Sequence, residues 1–230
     1  MMGYSSPPND SEPRRILREA AILYALWVLP SLIVVDAPAL VSIDSVTALI
    51  RTIVHHTAFG LLIIYILDLQ DLRRRVFSPT DGTAIGSLRP ILQFLFVAAA
   101  LFVLSLVVAG VFRTDSADRS QFRLTLGDGF WWWSTAVVAM VAVGILEELF
   151  FRYYLLYRLV QLGGSHGAAI LTAAGLFALG HSYQGVPAIV FSALAGVLLG
   201  LFRLRFGVRF LPLAAGHAVY NIGALLISTM

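Results

Sequence analysis

Long uncharged runs recur along this chain, separated by short polar stretches. Residues 91–112 contain only Gln93 and Ser105 as polar members, and a helix of that length spans ~30 Å of hydrocarbon. Further apolar runs cover 20–35, 52–67, 130–146, 167–179, 186–202 and 210–230, with a shorter piece at 153–162. The pattern predicts an all-α, polytopic transmembrane bundle of about eight helical segments enclosing an intramembrane cavity. Each short run by itself would suit a soluble helix. Together they present more apolar helix surface than an ordinary soluble fold can cover.

Composition agrees: 59% of the residues are hydrophobic and 13% charged, against roughly 25% charged in soluble chains. Residues 1–13, rich in Ser, Pro, Asn and Asp, read as a disordered tail without the layout of a signal peptide. Residues 14–129 hold the first spans and loops, and 130–230 form the half that carries the chemistry. Arg14, Arg15 and Arg18 precede the first span and predict a cytoplasmic N-terminus. Asp36 and Asp44 then fall outside, Arg73, Arg74, Arg75 and Arg89 inside, and Arg203, Arg205 and Arg209 inside again. The expected location is the cell membrane, with multiple passes.

The net charge of +3 does not point to nucleic acid, because the arginines sit at span ends, where topology and anionic headgroups account for them. The expected partners are membrane lipids and a membrane-associated or lipidated peptide or protein substrate. With no cysteine in the chain, disulfides, thiolate metal sites and a cysteine nucleophile are excluded. There is no Gly-rich phosphate loop either.

Against this background a few polar residues stand out. Glu147 and Glu148 close the run 130–146 and are the last acids of the chain. Ionisable groups at membrane depth cost about 2.5–3.5 kcal/mol each on insertion scales, and they tend to face a bundle interior and to be functional. Arg152 follows Glu148 by four residues, the favoured acid-to-base order on a helix. Adjacent helical residues diverge by ~100°, so one acid can hold the arginine while the other faces water. The bland alternative is that both acids cap a span at headgroup level.

Phe177 and His181 lie four apart at the end of a small-residue helix, so the ring can wall a site and fix the imidazole. The alternative there is a helix-terminal His bonded to a backbone carbonyl. Gly185 and Pro187 then break the chain, which predicts a buried, non-spanning turn over 181–187. His217 and Asn221 are one turn apart in an apolar helix. The imidazole suits a metal or an oxyanion, and the amide suits an oxyanion. Ser192, Gly196 and Gly200 form a small-residue seam for helix packing.

Glu-Glu-x-x-x-Arg at 147–152, Phe-x-x-x-His at 177–181 and His-x-x-x-Asn at 217–221 resemble, in order, the motifs of the CAAX prenyl protease and bacteriocin-processing family of intramembrane endopeptidases. The resemblance covers roughly residue 130 to the C-terminus. It implies peptide hydrolysis by an activated water, with Glu147 as catalytic base assisted by His181. It places His217 and Asn221 at the oxyanion, and Glu148, Arg152 and Phe177 in support. Glu147, His181 and His217 are also an adequate ligand set for Zn²⁺, so a metal-bound and a metal-free route both stand. The rival readings are a secondary transporter using the same residues as a proton relay, and a non-catalytic membrane protein binding an ion or partner through them. Geometry separates these, because hydrolysis needs the polar residues around one cavity.

Overall fold

The computed structural model describes residues 11–33, 42–43, 45–72, 77, 88–112 and 125–228. Seven helices run through them: α1 (Ser11–Ile33), α2 (Val46–Leu69), α3 (Arg89–Val111), α4 (Gly129–Gln161), α5 (His166–Gly180), α6 (Val186–Leu204) and α7 (Phe210–Ile227). A two-residue parallel pairing of β1 (Ser42–Ile43) with β2 (Thr125–Leu126) ties the α1–α2 connection to the segment before α4.

The chain is all-α, as the apolar runs predict, but the described helices number seven and not eight. The runs 130–146 and 153–162 are one 33-residue helix, α4. Its middle, Glu148–Leu155, winds as a π-helix, so the backbone never leaves the helix where the charged residues interrupt the apolar pattern. The first helix also begins earlier than the predicted run. Ser11, Glu12 and Pro13, placed in the tail by the sequence, form its first turn. The rest of that tail, Asp36, Asp44, and the arginines 73 to 75 lie outside the described residues.

Five helices are long and apolar enough to cross a membrane: α2, α3, α4, α6 and α7. This is a multi-pass membrane protein. Helix α1 does not join the five; Glu12, Arg14, Arg15, Arg18 and Glu19 occupy its first half. At 15 residues α5 is only about 22 Å long, short of the hydrocarbon thickness.

The core is built around the π-helical stretch. All eight of its residues are buried, and Phe150, Phe151, Tyr153 and Tyr154 meet side chains from α1, α2, α5 and α7. The predicted seam on α6 holds α5: a Cβ on Gly196 would stand 2.8 Å from Ala174. The turn after α5 departs from expectation. None of Ser182, Tyr183 and Gln184 is buried in the protein, and Gly185 at φ 89° uses the left-handed freedom of glycine to launch α6.

Candidate active site

Glu147 is the last α-helical residue of α4 before the π turn, and Glu148 is the first within it. A π-helix closes i→i+5 bonds and so puts more residues in each turn than an α-helix. Successive side chains are therefore rotated by less than the ~100° of an α-helix. Both carboxylates consequently reach the same imidazole. His217 Nδ1 is 2.7 Å from Glu148 Oε1, and His217 Nε2 is 3.6 Å from Glu147 Oε2.

Close contact between helices makes this reach possible. A Cβ on Gly144, one turn before the acids, would lie 3.0 Å from the Ala218 nitrogen on α7. Gly144→Ala should therefore force α4 and α7 apart and cost about 1–3 kcal/mol, as overpacking does. Thermal unfolding in detergent checks this; an unchanged midpoint would show that the contact yields freely.

Glu148 also faces Arg152, with Nη1 to Oε1 at 3.4 Å, and both residues are buried. The guanidinium makes no side-chain hydrogen bond through either terminal nitrogen among the described residues. It lies instead over the Phe177 ring, 4.4 Å from its centre, which adds a cation–π attraction to the ion pair. Glu148 thus neutralises the arginine and holds one nitrogen of His217.

His181 caps the C-terminus of α5. Its Nδ1 lies 2.8 Å from the Phe177 carbonyl. A carbonyl only accepts, so Nδ1 carries the hydrogen and Nε2 presents a lone pair in the neutral ring. That Nε2 is 3.9 Å from Glu147 Oε1. The backbone-bonded histidine that stood as the bland alternative is therefore present, but it uses only one nitrogen. Phe177 packs edge-on to His181 at 4.5 Å and to His217 at 6.4 Å.

Glu147 is thus set between two imidazoles, each with its far nitrogen engaged and its Nε2 turned inward. The Glu147 side chain is 6% exposed, whereas that of His181, next to the 182–184 turn, is 17% exposed. Asn221 is half-buried, one turn beyond His217 on α7, and has no hydrogen-bond partner among the described residues. The structure brings Glu147, Glu148, Arg152, Phe177, His181 and His217 together, and places Asn221 one turn beyond His217 with no hydrogen bond to any of them.

The donor chemistry suits Zn²⁺, since two imidazoles and a carboxylate are a common catalytic set. The Nε2 atoms of His181 and His217 stand 3.9 and 3.6 Å from different oxygens of Glu147, and among the described residues no group of three such side chains is already closed around a metal position.

Sequence reasoning missed the contribution of α1. Trp27 meets Phe151 edge-on at 4.8 Å and stands 6.2 Å from the His181 ring. Glu19 ends in a polar knot, 2.6 Å from Arg158 and 2.5 Å from the Tyr154 hydroxyl. A carboxylate and an arginine in apolar surroundings were the available signal; no local spacing links Glu19 to Arg158.

Residues 129–223 match a protein family described as type II CAAX prenyl endopeptidase Rce1-like. No curated protein and no solved structure matches the chain.

Proposed function

We infer that this chain, whose residues 129–223 match the type II CAAX prenyl endopeptidase family, Rce1-like, belongs to that family and hydrolyses peptide bonds of membrane-associated substrates within the bilayer. The observation that carries this reading is the Glu147 carboxylate between two inward-facing imidazole nitrogens, 3.6 and 3.9 Å away. A water held among these three groups loses a proton to Glu147 as its oxygen bonds to the scissile carbonyl carbon. His181, fixed by the Phe177 carbonyl, accepts a hydrogen bond from that water and orients its lone pair. The carbonyl oxygen becomes an oxyanion, which His217 and Asn221 face as donors.

Charge balance supports this sequence of events. Glu147, Glu148 and Arg152 together carry one net negative charge. The proton taken from water cancels it and is shared between Glu147 and the Nε2 of His217, which then donates toward the oxyanion. When the tetrahedral intermediate collapses, the carbon–nitrogen bond breaks and the same proton passes to the leaving amine. Glu148 keeps His217 in the required orientation throughout, through its Nδ1 hydrogen bond.

The substrate class is a lipidated, CAAX-type or transmembrane peptide. The chain resides in the cell membrane with its N-terminus in the cytoplasm, the side on which the arginines flanking the spans accumulate.

The test is cleavage of a farnesylated CAAX-type reporter peptide and of a transmembrane reporter peptide by purified protein, before and after chelation, with metal content measured in parallel. Cleavage that survives chelation is expected. One zinc per chain, with activity lost to chelator and restored by added zinc, would overturn the metal-free route and keep the endopeptidase. A folded chain that cleaves neither peptide, but moves protons or solute across liposomes, would establish the transporter reading.

A further inference from the structure

The interval between Glu147 and His181 is not closed by a direct hydrogen bond. It depends on how α4 and α5 are held, and α1 grips both. At one level of α1, Glu19 accepts hydrogen bonds from Tyr154 and Arg158 on α4, at 2.5 and 2.6 Å. It also accepts one from Gln70, at the end of α2, at 2.7 Å. Arg158 is only 2% exposed, so this knot is anchored in the protein interior.

About one and a half to two turns further along α1, the contacts pass to α5. The Tyr24 hydroxyl donates to the Leu176 carbonyl at 2.9 Å. Trp27 presses on the last turn of α5: a Cβ added at Gly180 would lie 2.1 Å from Trp27 Cζ3 and 2.3 Å from Cη2. Only glycine permits that approach, and His181 is the next residue. Trp27, Phe151 and Phe177 then form a continuous edge-to-face series, at 4.8 and 4.9 Å, from α1 through α4 to α5.

We propose that Trp27, seated on Gly180, is a positioning residue that sets the His181 imidazole against Glu147. This rests on the endopeptidase reading for its catalytic consequence. Helix α1 lies wholly before the family-matched segment 129–223, and Gly180 and His181 lie within it. His181 is a helix-capping residue held by one backbone hydrogen bond and by ring packing. Removing the indole frees the last turn of α5, and a shift of about 1 Å at a reacting group is enough to cost on the order of 10²-fold in rate.

The experiment uses the full chain in detergent with the farnesylated reporter peptide, and compares wild type, Trp27→Ala, Trp27→Phe, Gly180→Ala and the double variant Gly180→Ala/Trp27→Phe. Trp27→Ala and Gly180→Ala are each expected to lower kcat on the order of 10²-fold with little change in KM. Trp27→Phe, which withdraws the Cζ3 and Cη2 contact with Gly180, loses part of the activity, and the double variant recovers it, because the added methyl fills the space that the smaller ring leaves. A purely structural role predicts instead that losses track the unfolding midpoint and that the double variant is the worst.

A second measurement does not depend on turnover. Carbethoxylation of His181 by diethylpyrocarbonate, followed by mass spectrometry on the folded protein, should run several-fold faster in Trp27→Ala than in wild type. A wild type that cleaves, with Trp27→Ala cleaving as fast and modified as slowly, would sink the positioning role alone. A folded wild type that never cleaves would sink the endopeptidase reading, and the catalytic consequence with it.

Discussion

Glu147→Gln is expected to lower kcat by about 10²–10⁴-fold, the range that positioned general bases contribute, while the protein stays folded. The amide matches the carboxylate in shape but cannot accept a proton from water. The two imidazole Nε2 atoms stand 3.6 and 3.9 Å from different oxygens of the carboxylate, so the single NH₂ of the amide can donate to one of them while its oxygen faces the other. The one hydrogen bond and the lost buried charge offset the remaining mismatch, and stability stays close to that of wild type. Turnover of the farnesylated reporter and the unfolding midpoint, measured on the same preparation, test both halves. A variant that cleaves at the wild-type rate would refute Glu147 as the base.

Glu148→Ala acts through a different route. Arg152 is buried, its terminal nitrogens make no hydrogen bond among the described residues, and Glu148 is its nearest counter-charge at 3.4 Å. Removing one member of a buried pair typically costs about 3–5 kcal/mol, because the other charge stays behind without compensation. The same substitution deletes the acceptor for His217 Nδ1, so the imidazole can turn and the activity should fall together with the stability. Glu148→Gln separates the two effects. It keeps an oxygen for His217 and loses the charge, so it should be destabilised while retaining more activity per folded molecule than the alanine variant. Chemical unfolding in detergent, paired with kcat normalised to folded protein, measures this. Equal stability of Glu148→Ala and wild type would sink the assignment of Glu148 as the counter-charge.

The two substitutions differ although the residues are neighbours, and the helix winding is the reason. In a regular α-helix the acids would face well apart, which is how the sequence reads. The π turn that begins at Glu148 brings both to His217, one at each ring nitrogen. The Glu148–Arg152 pair, by contrast, was legible from four-residue spacing. So was the edge-on packing of Phe177 against His181, which needs only one helical turn.

What is local was legible along the chain. Uncharged runs fix the medium and the helices, because every apolar residue in them is there to meet lipid or protein. Isolated acids and imidazoles in those runs mark the site, because nothing else offsets their cost at that depth. The rest came from contacts between separate helices. Whether 130–146 and 153–162 were two helices or one depended on a π turn that the surrounding core wraps on every side. Which nitrogen of each histidine faces Glu147 depended on the partners of the opposite nitrogens, the Phe177 carbonyl and the Glu148 carboxylate. The share taken by α1 depended on Trp27 meeting a glycine more than a hundred residues away. Contacts of that kind arise from the close approach of separate helices, and spacing along one helix carries no record of them.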